Sequence, residues 1–119
     1  MTYQSKKLGN QGEKLALQHL PKKYKVLATN LRTKFGEIDI LAQDGNVLVI
    51  VEVKTKSNDF FGHAIEMITA TKRRKLILLA HELQMKHKTD SVRIDIVTID
   101  NAESEPVIKH HKGMIECVF

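Results

Sequence analysis

Three residues in the first half of the chain have the types and spacing that chemistry on phosphate requires: Asp39, Glu52 and Lys54. Carboxylate oxygens suit hard cations such as Mg²⁺ and Mn²⁺, which keep several waters and bind phosphate oxygens as well. A cation held this way lowers the pKa of a water, orients it for in-line attack and neutralises charge developing on phosphorus. A lysine two residues beyond the second carboxylate is placed to hold that water or to stabilise the pentacovalent transition state. The chemistry indicated is metal-assisted phosphodiester hydrolysis. A lone Glu-x-Lys in a strand reads more simply as a salt bridge. The stronger reading depends on whether Asp39 joins the pair.

The flanking sequence supplies the elements that would bring them together. Residues 37–43 and 47–54 are rich in Ile and Val and read as strands, joined by Asp44-Gly45, a strong hairpin signal that predicts a type I′ turn. That turn pairs Gln43 with Asn46, Leu41 with Leu48, Asp39 with Ile50 and Glu37 with Glu52. Side chains alternate faces along a strand, and directly paired residues share a face. Glu37, Asp39, Glu52 and Lys54 then project together, with Asp39 and Glu52 as diagonal neighbours roughly 7–8 Å apart at Cα. Val47, Val49, Val51 and Val53 make the opposite face apolar, and Leu48 and Ile50 are apolar too, so the strand is buried on both sides. Charges at the end of such a strand are costly unless paired or bound to a metal. With Asp39 on the same face, the site and the salt bridge stand about level.

The rest of the chain supplies a frame. Residues 5–20 read as a helix with Leu8, Leu15, Ala16 and Leu20 near one face, ended by Pro21. Residues 24–31 suggest a strand, 58–62 a loop, 65–85 a long helix, 92–99 a strand and 107–111 a short final one. In the long helix Ile65, Ile68, Leu76, Leu79, Ala80 and Leu83 form one stripe. The order α-β-β-β-α-β, with a last short strand, predicts an α/β fold: a mixed sheet flanked by helices. Glu13 lies on the first helix with Gly9 and Ala16 leaving space around it. It reads either as a third carboxylate at the metal, directly or through water, or as a solvated residue on a tightly packed helix. Lys72 falls on the apolar stripe between Ile68 and Leu76; it either snorkels outward or reaches a phosphate. Arg73, Arg74 and Lys75 continue the charge, as a solvated face or as a surface that positions phosphates.

Bulk properties bound these readings. The chain has 119 residues, enough for one domain spanning 1–119, and carries a net charge of +5 with pI near 9.4. A basic balance favours polyanionic partners through counterion release. No apolar run reaches the roughly 18 residues needed to span a bilayer, and the first residues lack a secretory signal, so the expected location is the cytoplasm. Cys117 is the only cysteine, which excludes an internal disulfide and a cysteine-based zinc cluster. The six histidines show no metal-ligand spacing and read as surface or phosphate-contacting residues. No Walker loop, Gly-x-Ser-x-Gly elbow or Rossmann fingerprint is present, which leaves NTP hydrolysis and acyl transfer without support.

These pieces resemble a known pattern. Asp39 followed by Glu52-Val53-Lys54 resembles the PD-(D/E)xK nuclease signature. The wider set resembles the YraN family of restriction-endonuclease-like proteins, relatives of Holliday-junction resolvases. It comprises Gly9-x-x-Gly12-Glu13-x-x-Ala16, Asn30-Leu31-Arg32, Gly36-Glu37-Ile38-Asp39, Phe61-Gly62, Lys72-Arg73-Arg74-Lys75-Leu76 and Arg93-Ile94-Asp95-Ile96-Val97. The resemblance implies a restriction-endonuclease-like core, with Asp39 and Glu52 as metal ligands, Lys54 as the catalytic lysine and Glu13 as the helix-borne acid. It implies Mg²⁺ or Mn²⁺ as cofactor, DNA contacts through Lys72, Arg73, Arg74, Lys75 and Arg32, and admits a homodimer. The function expected is a divalent-metal-dependent endonuclease hydrolysing DNA, with branched or Holliday-junction-like structures as substrates. The alternatives are a non-catalytic nucleic-acid-binding module on a nuclease scaffold, and a protein–protein adaptor with an incidental basic surface.

Overall fold

A computed structural model of the chain describes residues 3–57 and 62–115, with the backbone alone for 3–8. Most of the predicted 58–62 loop, Phe61 and Cys117 lie outside the described residues, as does the side chain of Leu8. The elements run α1 (Tyr3–His19), β1 (Lys25–Thr33), β2 (Gly36–Asp44), β3 (Val47–Thr55), a 3₁₀ turn (Ala64–Met67), α2 (Ala70–His87), β4 (Val92–Asp100) and β5 (Val107–Ile115). The five strands form one sheet in the order β1-β2-β3-β4-β5. β3 and β4 pair in parallel and the other neighbours antiparallel, so the sheet is mixed, as predicted. The parallel pair needs a crossover, which the 3₁₀ turn and α2 provide.

Each helix covers one face. On the α1 side Ala16 and Leu20 pack with Ile40, Ala42, Val49, Val51 and Val97. On the other, Leu76, Leu79, Ala80 and Leu83 of α2 pack with Leu41, Ile50, Ile94 and Ile96. β3 contributes to both clusters, which accounts for its unbroken apolar run. Gly12 lets α1 approach closely: a Cβ there would run into the Thr55 side chain.

The predicted long helix is divided. Ile68 and Thr69 are extended, and α2 starts afresh at Ala70 with the Thr69 hydroxyl accepting the Lys72 N–H at 3.1 Å. An N-cap threonine satisfies a donor that a continuous helix would have used internally. β5 is also longer than predicted. It passes Gly113 (φ 62°) in an irregularity of its ladder with β4, where the Gly113 N–H donates to Asp95 at 2.9 Å.

Candidate active site

The β2–β3 hairpin differs in register from the predicted one. Asp44 pairs with Val47 and Gln43 with Leu48, leaving Gly45-Asn46 as the two-residue loop. Gly45 has φ 60° and Asn46 is not left-handed, which is the type II′ pattern rather than I′. The change shifts the pairing by two residues. Because side chains alternate with period two, the faces are unchanged. Leu41 pairs with Ile50 and Ile40 with Val51, and Asp39 and Glu52 each stand one position beyond that last pair. The two acids are close enough that the Asp39 charge acts on Glu52.

The regular pairing stops at Ile40 and Val51. Beyond it the Asp39 carboxylate accepts the Val53 N–H at 2.9 Å. A side chain thus takes the place of a backbone carbonyl just where the two strands carry their acids. Glu52 is buried at 6% exposure. One of its oxygens, Oε1, lies 3.3 Å from the Lys72 ammonium, while Oε2 is buried with no hydrogen-bond partner. Lys72 is thus ion-paired with Glu52 while its side chain stays about 37% exposed. Lys54 is half-buried on the same face, across from Thr98 of β4.

Electrostatics follow from this crowding. Burial, then the nearby Asp39 charge, pushes Glu52 up to about 7, although Lys72 and Lys54 pull the other way. Burial also raises Asp39; the Val53 N–H and the two lysines oppose the shift, and Glu37 adds to it. Two carboxylates forced together and only partly neutralised favour a cation between them. The donor set fits one: hard oxygens, one of them orphaned in the interior. Among the described residues, however, no three or more His, Cys, Asp or Glu side chains gather as a ready cage. An ion here would rest on Asp39 and Glu52, with waters completing its shell, as Mg²⁺ commonly does.

Glu13 is not gathered with the pair. It is half-buried and hydrogen-bonded to Asn30; its pKa is raised by burial, with smaller contributions from Asp39 and Glu37. It feels the site through charge. Arg73, Arg74 and Lys75 are exposed at the start of α2, and Arg32 is exposed on β1.

A second cluster went unassigned in the sequence. Asp95, fully buried, accepts from Arg93 at 2.8 and 3.2 Å, from Tyr24 at 3.1 Å and from Gly113 N–H, and lies 2.7 Å from His110 Nε2. Burial pushes its pKa up, but the bonds from Arg93, Gly113 and His110 hold it below the usual range. Arg93 also bonds Asp44 at 3.1 Å. Asp95 alternates with Ile94 and Ile96 of the α2-side cluster, so this network lies on the α1 face. His110 is thus a half-buried partner of Asp95 rather than a free surface residue, and His111 is half-buried with Nε2 3.0 Å from the Thr98 hydroxyl. An Arg-x-Asp pair inside an apolar strand was the available signal, since two charges there must find partners.

The mixed five-stranded sheet with one helix on each face is the α/β architecture that the restriction-endonuclease-like resemblance implies. It superposes on a chain of the solved EndoMS–dsDNA2 complex with a TM-score of 0.54 at 17% identity, over 72% of this chain and 33% of that one. The chain belongs to the uncharacterised protein family UPF0102, the YraN family, whose model matches residues 12–99. UPF0102 proteins similar to it include one from Thermodesulfovibrio yellowstonii, 45% identical over 102 residues, covering 84% of this chain and 91% of that protein. Another, from Dehalococcoides mccartyi, is 39% identical over 118 residues, covering 97% and 98%. Among the described residues no helix is long and apolar enough to cross a membrane.

Proposed function

We propose that the protein is a divalent-metal-dependent endonuclease acting on DNA, with branched or Holliday-junction-like structures as its substrate class. The observation that carries the reading is the Glu52 carboxylate: buried, raised in pKa, beside Asp39, with Oε2 unsatisfied. Leaving a buried charged oxygen without a partner costs roughly 1–3 kcal/mol or more, a cost a bound cation would remove. Asp39 and Glu52 would hold Mg²⁺ or Mn²⁺, with Glu13 acting through water. Such a cation supplies Lewis acidity toward phosphate oxygens and water.

The chain's own residues do the rest. Val53 N–H fixes the Asp39 carboxylate in one orientation. Lys54 presents an ammonium on the site face, placed to hold the attacking water or to stabilise the charge that builds on the phosphoryl oxygens. Arg73, Arg74 and Lys75 crowd the start of α2, where no acidic residue stands in the first turn. The helix dipole disfavours cations at that end and favours anions, so their placement suits phosphate contacts that the helix terminus itself assists. Arg32 would extend that surface along β1. The fold shared with a chain solved on double-stranded DNA supports DNA as the polyanion.

One observation favours a second reading, a nucleic-acid-binding module without turnover. Lys72 pairs with Glu52 at 3.3 Å and so competes with any cation for that oxygen. A panel of linear, nicked, flapped and four-way DNA, incubated with Mg²⁺ or Mn²⁺ beside Glu52→Ala, separates the two. Metal-dependent cleavage lost in the variant supports the endonuclease. Salt-sensitive binding with no cleavage by either protein supports the module.

A further inference from the structure

The polar face of β3 continues past Lys54. Two residues on, Lys56 falls on the same side of the strand, and bonding to β4 persists there: Lys56 N–H donates to the Ile99 carbonyl at 2.8 Å. On the neighbouring strands, Asp100 and Lys109 share that side by the same alternation, because Thr98 pairs with both Lys54 and Lys109. Lys56, Asp100 and Lys109, with His63 and Asn101, line a cavity of ≈160 Å³. One water needs about 10–15 Å³ of such space, so a polyatomic ion with its waters fits.

The charge in this cavity is unbalanced. Lys56 is 7% exposed, yet it forms no ion pair among the described residues. A buried ammonium without a counter-charge is costly. Asp100 is the one carboxylate among the described lining residues, and it is already engaged. Its Oδ1 accepts the Ala64 N–H at 2.7 Å, and its Oδ2 lies 4.0 Å from His63 Nδ1. Two lysines and a histidine therefore face one carboxylate that holds the 3₁₀ turn in place. The geometry points to a phosphate-binding subsite, built on Lys56 and Lys109, whose occupant is a backbone phosphate of the strand engaged at Asp39 and Glu52. Lys54 and Lys56 are separated by about 7 Å along the strand, which is the scale of one nucleotide step. The choice of a nucleic-acid strand rests on the function proposed above; the anion chemistry does not.

Two measurements in EDTA, neither reading cleavage, test this. In the first, inorganic phosphate is titrated into ¹⁵N-labelled protein. Saturable shifts are expected at the amides of Gly62, His63 and Asn101, with affinity at least threefold weaker in Lys109→Gln, an exposed position that does not threaten folding, and weaker still in Lys56→Gln. In the second, duplex and four-way DNA are bound across a salt series. Each variant should reduce the slope of log K against log salt by about 1, the signature of one lost phosphate contact. A reduced slope supports the strand assignment even where free phosphate binds too weakly to saturate. Phosphate shifts with unchanged slopes would overturn that assignment. Absence of saturable shifts together with unchanged slopes would overturn the subsite. A protein that binds phosphate here but cleaves nothing would count against the endonuclease alone.

Discussion

Replacing Glu52 with glutamine should stabilise the metal-free protein while abolishing any metal site. The unfolded chain releases the Glu52 proton near 4.5, whereas burial and Asp39 hold it until about 7 in the fold. Between those values the unfolded state carries fewer protons, so stability falls as pH rises from about 4.5 to about 7 and is level above that. At about 1.4 kcal/mol per pH unit, moving from 4.5 to about 7 amounts to on the order of 3 kcal/mol at pH 8. Glu52→Gln removes that penalty but also the ion pair with Lys72, a loss of up to about 1 kcal/mol. A net gain of about 1–3 kcal/mol at pH 8 is expected, shrinking toward pH 5. Urea unfolding at pH 5, 6, 7 and 8 in EDTA reads it directly. With Mn²⁺ at a hundred times its Kd the wild type should recover about 2.7 kcal/mol, and the variant nothing. Parallel pH profiles for the two proteins in EDTA would show that Glu52 is an ordinary, well-solvated carboxylate and would remove the basis for a strained site.

Three other substitutions probe separate parts of the molecule. Lys54→Met should lower metal-dependent cleavage by roughly 10²–10³-fold, the usual cost of one transition-state charge stabiliser, with a urea midpoint close to wild type; retained cleavage would remove Lys54 from the chemistry. Asp95→Ala leaves half-buried Arg93 with Asp44 alone and takes the acceptor from Tyr24 and the Gly113 N–H, and should destabilise by about 3–5 kcal/mol, measured by urea unfolding, whereas a loss under 1 kcal/mol would show that the network contributes little. Gly12→Ala drives a methyl into Thr55 and should cost about 1–3 kcal/mol by overpacking; a neutral thermal shift would mean that α1 does not seat there.

The faces of the hairpin were legible because they depend only on parity. The predicted turn was displaced by one position, which moved the pairing by two residues, and the Asp39, Glu52 and Lys54 charges still act on one another. The apolar stripes of α1 and α2 were equally plain, since Ala16, Leu20, Leu76, Leu79 and Leu83 recur at helical spacing. Inter-element distance was not legible. That Lys72 reaches Glu52 depends on where Thr69 restarts the helix relative to β3, which periodicity does not encode. The Asp39–Val53 bond replaces a ladder bond, and sequence patterns assume that ladders continue. Lys56 and Lys109 meet only because β4 lies between their strands, at positions 53 residues apart in the chain.

The separation of Asp95 from Glu52 has a consequence for engineering. The two charged systems project from opposite faces of the same sheet. The α1 side holds a fully satisfied network, and the α2 side holds an acid left wanting. Substitutions in distant, non-contacting groups add nearly independently, so the Asp95 network, unlike Glu13 on the same side, is a place where stability can be changed without disturbing reactivity. Variants of the Tyr24, Arg93 and His110 neighbourhood could carry the load while the opposite face is altered freely to test new specificities.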